Sequence, residues 1–157
     1  MGESELRRTY LVVVDDSAEA RVALRFAARR AAKTGGRVEV LGIVEPQDFV
    51  QFGGVQAAIE EEQRLRIDGV VSSAIGEILD ESGVEARIIM QQGEAVKAVR
   101  DYVAGRPEVA ALVLAAAPSG NPGPLVANFC GNDAGKLPCP VMLIPGSMTD
   151  ERLEQLS

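Results

Sequence analysis

Histidine is absent from this 157-residue chain, and tryptophan is absent too. The first absence removes the commonest general base and metal ligand, which excludes Ser-His and Cys-His nucleophile systems. Only 2 cysteines occur, Cys130 and Cys139, and they form no C-x-x-C pair. No Cys/His set for zinc exists, and the two thiols read as reduced side chains unless the fold brings them within bonding distance. No apolar run approaches the roughly 18–20 residues of a membrane span, and no secretory leader pattern opens the chain. A cytoplasmic protein without a membrane partner is the expectation. Positive charge is in deficit, with 16 Lys and Arg against 23 Asp and Glu and a formal net charge of -7. That balance argues against nucleic acid as a partner. Aromatics make up 4% of the residues, so any core must be aliphatic.

What is present is organised around residues 10–17, Tyr-Leu-Val-Val-Val-Asp-Asp-Ser. A β-branched apolar run of this length suits a strand buried on both faces. It stops at Asp15 and Asp16, and Ser17 stands at the N-cap of the helical pattern that follows over residues 18–33. Gly35-Gly36 closes that helix. A second strand is expected over residues 37–44, a loop over 45–54, a long helix over 55–82 and a third strand over 84–91. Gly93 precedes a short helix over residues 94–103, and 109–115 reads as a fourth strand. A loop of small residues, 116–123, then leads through Pro124 into a weak helix ending near Lys136. Pro138-Cys139-Pro140 breaks it, and a last strand runs from Val141 to Ile144. Residues 1–8 and 147–157 read as polar tails. The unbroken alternation predicts one α/β domain over residues 1–157, with an open parallel sheet covered on both faces by helices. In such sheets ligands bind outside the carboxyl ends of the strands, where Asp15 and Asp16 fall.

The opening Val-Val-Val-Asp15-Asp16-Ser17 with its alanine-rich helix resembles the universal stress protein family. The closing Pro138-Cys139-Pro140-Val141-Met142-Leu143-Ile144-Pro145 does so as well, as do Gly93 and the strand at Leu112 to Ala115. The likeness runs from about Thr9 to Pro145. It implies a five-stranded sheet of order 3-2-1-4-5, of the adenine nucleotide alpha hydrolase-like, Rossmann-like type. It also implies a cytoplasmic, non-catalytic stress-response role and a homodimer joined through the last strand. Part of the family binds ATP between the first and fourth strands. There an aspartate serves the nucleoside, and a loop of the form G-x-x-G-x9-G-[ST] wraps the phosphates.

Asp15 matches the aspartate, and Val13, Val14 and Val44 are placed to flank an adenine. The loop departs from the pattern. In one register its glycine positions fall on Ala115 and Pro118, and the G-[ST] pair falls on Asn128-Phe129. A shifted register finds Gly120-Asn121-Pro122-Gly123, but then Asp133 and Ala134 stand where G-[ST] belongs. Prolines 118, 122 and 124 remove three N–H donors from a segment that would bind phosphate through its backbone, and Asp133 adds negative charge. Ser119, Gly120 and Gly123 remain as candidate contacts, with Asn121 and Asn128 as side-chain donors. Asp15 reads equally as a ribose or base anchor and as a helix cap or solvated carboxylate. An Asp15–Asp16 magnesium site is a further option if ATP binds. Lys136 reads either as a phosphate neutraliser or as a cation at a helix C-terminus. Phe49 and Phe52 read as a lid or, in preference, as a core or subunit contact.

Three functions fit these residues. The first is a dimeric, non-catalytic protein holding ATP or AMP, with Mg²⁺ if ATP, at Val13, Val14, Asp15, Val44, Ala115, Ser119, Gly120, Asn121, Gly123 and Asn128. The second is an interaction module with a decayed nucleotide site, acting through its dimer and a protein partner. The third, a weak ATPase, lacks a histidine and a phosphate grip.

Overall fold

A computed structural model describes residues 7–14, 17–45 and 53–157. Asp15, Asp16, Phe49 and Phe52 lie outside the described residues. Five strands form one sheet in the order β3-β2-β1-β4-β5, with every pairing parallel. They are β1 (Thr9–Val14), β2 (Arg37–Val44), β3 (Ala86–Gln92), β4 (Val109–Ala116) and β5 (Val141–Pro145).

All six residues of β1 are buried, which explains its unbroken apolar run. Alternate side chains serve opposite faces. Tyr10, Val12 and Val14 pack with α1 (Glu19–Thr34) and with Ile67 and Val71 of α2 (Gly53–Ser82). Leu11 and Val13 pack on the other face, with Val99 and Val103 of α3 (Ala95–Ala104) and with Val126 and Phe129. Five alanines of α1 are buried, so this helix lies close against the central strands. Gly35 ends it in the left-handed conformation, φ 68°, which glycine adopts without penalty. Glu94 caps α3, its carboxylate accepting the N–H groups of Val96 and Lys97.

Several boundaries differ from the sequence reading. Ala18, not Ser17, occupies the N-cap position of α1 and makes no side-chain cap. The single weak helix expected after residue 123 is three short pieces. They are α4 (Pro124–Ala127), a π turn at Asn128–Asn132 and a 3₁₀ turn at Ala134–Lys136. Gly131 interrupts the series with non-helical dihedrals.

The polar tail is a larger correction. Thr149 accepts a hydrogen bond from the N–H of Arg152 and opens a helix, α5 (Asp150–Leu156). Leu153 of α5 is fully buried and Met148 packs on the same cluster. Arg25 and Arg29 of α1 pair with Asp150 and Glu154 at 3.6 and 3.8 Å, and the Lys33 ammonium donates to the Ser157 carbonyl.

At the amino end of the sheet, the Glu39 carboxylate is buried on β2 and accepts the Tyr102 hydroxyl. Arg106 stacks over the Tyr102 ring at 4.0 Å and lies 3.9 Å from Glu39. A buried carboxylate needs such partners. No helix among the described residues is long and apolar enough to cross a membrane.

Candidate ligand crevice

The strand order reverses direction between β1 and β4. Crossovers leave that point in opposite directions, which opens a crevice outside the strand ends. A cavity of about 320 Å³ lies there, near the lower end of the roughly 300–1,000 Å³ of small-molecule sites. Its floor is apolar, made by Val13 and Val14 of β1, Ile43 of β2, and Leu114 and Ala115 of β4. Residues 121–126 wall one side, and Ser17, Glu19 and Ala20 line it where α1 begins.

Of the residues expected at the site, Val13, Val14, Ala115, Asn121 and Gly123 line this cavity. Asp15 follows β1 directly in the sequence and lies outside the described residues. The other four are not in the lining. Val44 is buried in the core under α1 and α2. Ser119 and Gly120 are exposed further out on the loop. Asn128 donates its amide to Asp133 at 3.0 Å, so it serves the protein's own structure.

That same cluster corrects the expectation for Asp133 and Lys136. Arg100 of α3 reaches the Asp133 carboxylate at 2.5 Å, and the Lys136 ammonium lies 3.5 Å from the same carboxylate. The hydrogen bonds from Asn128 and then Arg100 hold its carboxyl below the usual range. Asp133 is therefore neutralised at home, and Lys136 points its charge at Asp133.

The loop is poorly equipped for phosphate. Prolines 118, 122 and 124 have no N–H, and the N–H of Gly123 is already donated to the Asn121 side chain at 3.0 Å. α4 spans only 4 residues, too short for a dipole of any strength. Three polar residues that the sequence did not flag line the cavity: Glu19, Glu45 and Gln63. The Gln63 carbonyl oxygen is buried with no hydrogen-bond partner. Only Glu19, which opens α1, and Glu45, which follows β2, offered any signal. Gln63 comes from a long helix and could not be placed without the fold. The residues fit a flat, apolar-faced group with hydroxyls or amines, and they do not fit a triphosphate. Among the described residues no group of three or more His, Cys, Asp or Glu is placed to hold a metal ion.

An open parallel sheet with a cavity at its switch point defines an α/β domain of the doubly wound, crevice-binding type. The chain belongs to the universal stress protein family, whose profile matches residues 7–145. No curated protein gives a significant match. Among solved structures, universal stress protein UspA from Lactobacillus plantarum is 19% identical, at a TM-score of 0.74 over 87% of this chain and 97% of that one. The universal stress protein from Archaeoglobus fulgidus in complex with dAMP is 21% identical, with a TM-score of 0.53, covering 88% and 97%. A universal stress protein family member from Arabidopsis thaliana with AMP bound is 15% identical, with a TM-score of 0.60, covering 92% and 94%. At these identities the likeness establishes the fold.

Proposed function

We propose that this chain is a non-catalytic, cytoplasmic stress-response protein that works as a homodimer and binds an adenine nucleotide in the crevice between β1 and β4. The observation that carries the reading is the apolar-floored cavity at Val13, Val14 and Ala115. The AMP and dAMP complexes of two neighbours of the same fold support it. The base lies on the valine and alanine floor, and the ribose turns toward the start of α1 and the Asn121–Gly123 turn. Asp15, next in sequence after β1, is the candidate ribose partner. The dimer forms through β5, an edge strand.

Calorimetric titration with AMP tests this. Saturable binding is expected, abolished by Ala115→Phe, which fills the floor, and weakened by Asp15→Ala. Absence of heat at millimolar AMP, adenosine and ATP sinks the reading. The prolines of the 118–124 loop favour a second reading in that case, a module that acts through protein contacts alone.

A further inference from the structure

Every Lys and Arg of the chain, 16 in all, lies among the described residues. None of them lines the cavity. Its polar lining instead holds Glu19 and Glu45 beside Ser17, Asn121 and Gln63, whose buried side-chain carbonyl oxygen has no partner. The charged side chains of the described lining are therefore all acidic. Three cations of the chain are paired elsewhere: Arg100 and Lys136 with Asp133, and Arg25 with Asp150. On the loop side, Pro118, Pro122 and Pro124 have no N–H, and the Gly123 N–H is donated to Asn121.

From this we infer that the crevice is selective for an uncharged nucleoside and discriminates against its phosphorylated forms. The inference rests on the proposed crevice reading and reverses the order of affinity that a phosphate-gripping loop gives. An adenosine-type ligand suits this wall. Its exocyclic amine and ribose hydroxyls are donors for Gln63 and the two glutamates, and its base is a flat apolar face for Val13, Val14 and Ala115. A triphosphate brings only acceptors and negative charge, and meets carboxylates of the same sign across a partly desolvated cavity. Like charges repel more strongly there than in bulk water.

Salt gives this selectivity its signature. Screening shortens the reach of the repulsion, so ATP binding should strengthen as ionic strength rises while adenosine binding stays level. A positive phosphate site shows the opposite slope.

The test is a calorimetric comparison of adenosine, AMP and magnesium-free ATP on the full chain at about 20 and 300 mM salt. Adenosine is expected to bind at least about tenfold more tightly than ATP at low salt, with AMP between them and the gap narrowing at high salt. Glu45→Lys places a cation on the wall at an exposed position. It should tighten ATP by about tenfold and leave adenosine no tighter, since an uncharged ligand gains nothing from the cation and loses one acceptor. If ATP binds more tightly than adenosine in the unaltered chain, the selectivity inference is overturned while the crevice reading stands. An equal response of both ligands to Glu45→Lys also overturns it. If none of the three binds, both inferences fall.

Discussion

Asp133 shows how a side chain that looks like part of a binding loop can belong to the scaffold. Hydrogen bonds from Asn128 and Arg100 lower its pKa. A carboxyl with a depressed folded-state pKa stabilises the fold above its unfolded value near 3.9, and that contribution disappears as pH falls through the folded value. Asp133→Asn should therefore lower the thermal midpoint at pH 7 and leave it unchanged near pH 2, as followed by circular dichroism. The two thiols differ in a similarly local way. Burial raises the pKa of Cys139, with the opposing Leu112 backbone hydrogen bond the smaller effect, whereas Cys130 is exposed. A maleimide at pH 7.5 should label Cys130 first and Cys139 several-fold more slowly, since the thiolate is the reactive form. Equal rates, read by mass spectrometry, would mean that Cys139 opens to solvent. At Gly146 the constraint is space. An added Cβ would stand 2.5 Å from the Ala116 carbonyl oxygen and 2.7 Å from the Glu19 Cβ. The backbone there cannot give easily, because the Gly146 N–H also donates to Ala116 at 2.8 Å. Gly146→Ala should cost about 1–3 kcal/mol in urea unfolding and disturb the rim that Glu19 shares with the crevice.

At the level of elements, α5 is held chiefly by one leucine. Its ion pairs join arginines of α1 to carboxylates that are 70% exposed, so each contributes about 0–1 kcal/mol. Burial of Leu153 outweighs them. Leu→Ala in a core costs about 2–5 kcal/mol, but a peripheral helix cannot lose more than its own docking energy. Leu153→Ala should therefore lie near 2 kcal/mol and raise hydrogen exchange selectively in α5. Uniform exchange across the sheet would show instead that α5 unfolds only with the whole domain. The same element marks a limit of reading the chain alone. Residues 147–157 hold too few apolar side chains for a helical period to show. Yet Thr149, followed by Asp150 and Glu151, carries an N-cap and acidic first-turn signature that pointed to a helix. The strands were legible because β1, β2 and β4 are buried on both faces and so read as continuous apolar runs. The crevice was legible only in part. Val13, Val14, Ala115, Asn121 and Gly123 are reached by laying the family pattern on strand ends and turn residues. Gln63 reaches the cavity through the packing of a long helix that no local pattern encodes.

Across the whole molecule the sheet ends in two edges, β3 and β5, and they are not equivalent. β3 carries Arg87 beside an exposed Ile88 and ends in Gln91-Gln92. β5 has no charged residue in Val141–Pro145, and Leu143 at its centre is 44% exposed. An uncharged edge with open N–H and C=O groups invites another strand. The occupant that the dimer proposal gives it is a second β5, related by a two-fold axis. Antiparallel pairing of a five-residue strand with its own copy brings Leu143 close to the axis, near Leu143 of the other copy. Leu143→Glu then sets like charges opposite one another, which is destabilising for a strand pair. In the single subunit the change is mild, because the side chain is already half in water. Sedimentation velocity should find a dimer for the unaltered chain and a monomer for Leu143→Glu, with thermal midpoints within about 2 °C when extrapolated to low concentration. A monomer at about 100 µM unaltered chain removes the dimer. A variant that stays dimeric moves the interface off β5, and α5 is then the next surface to alter, because it follows that strand and most of its residues are exposed.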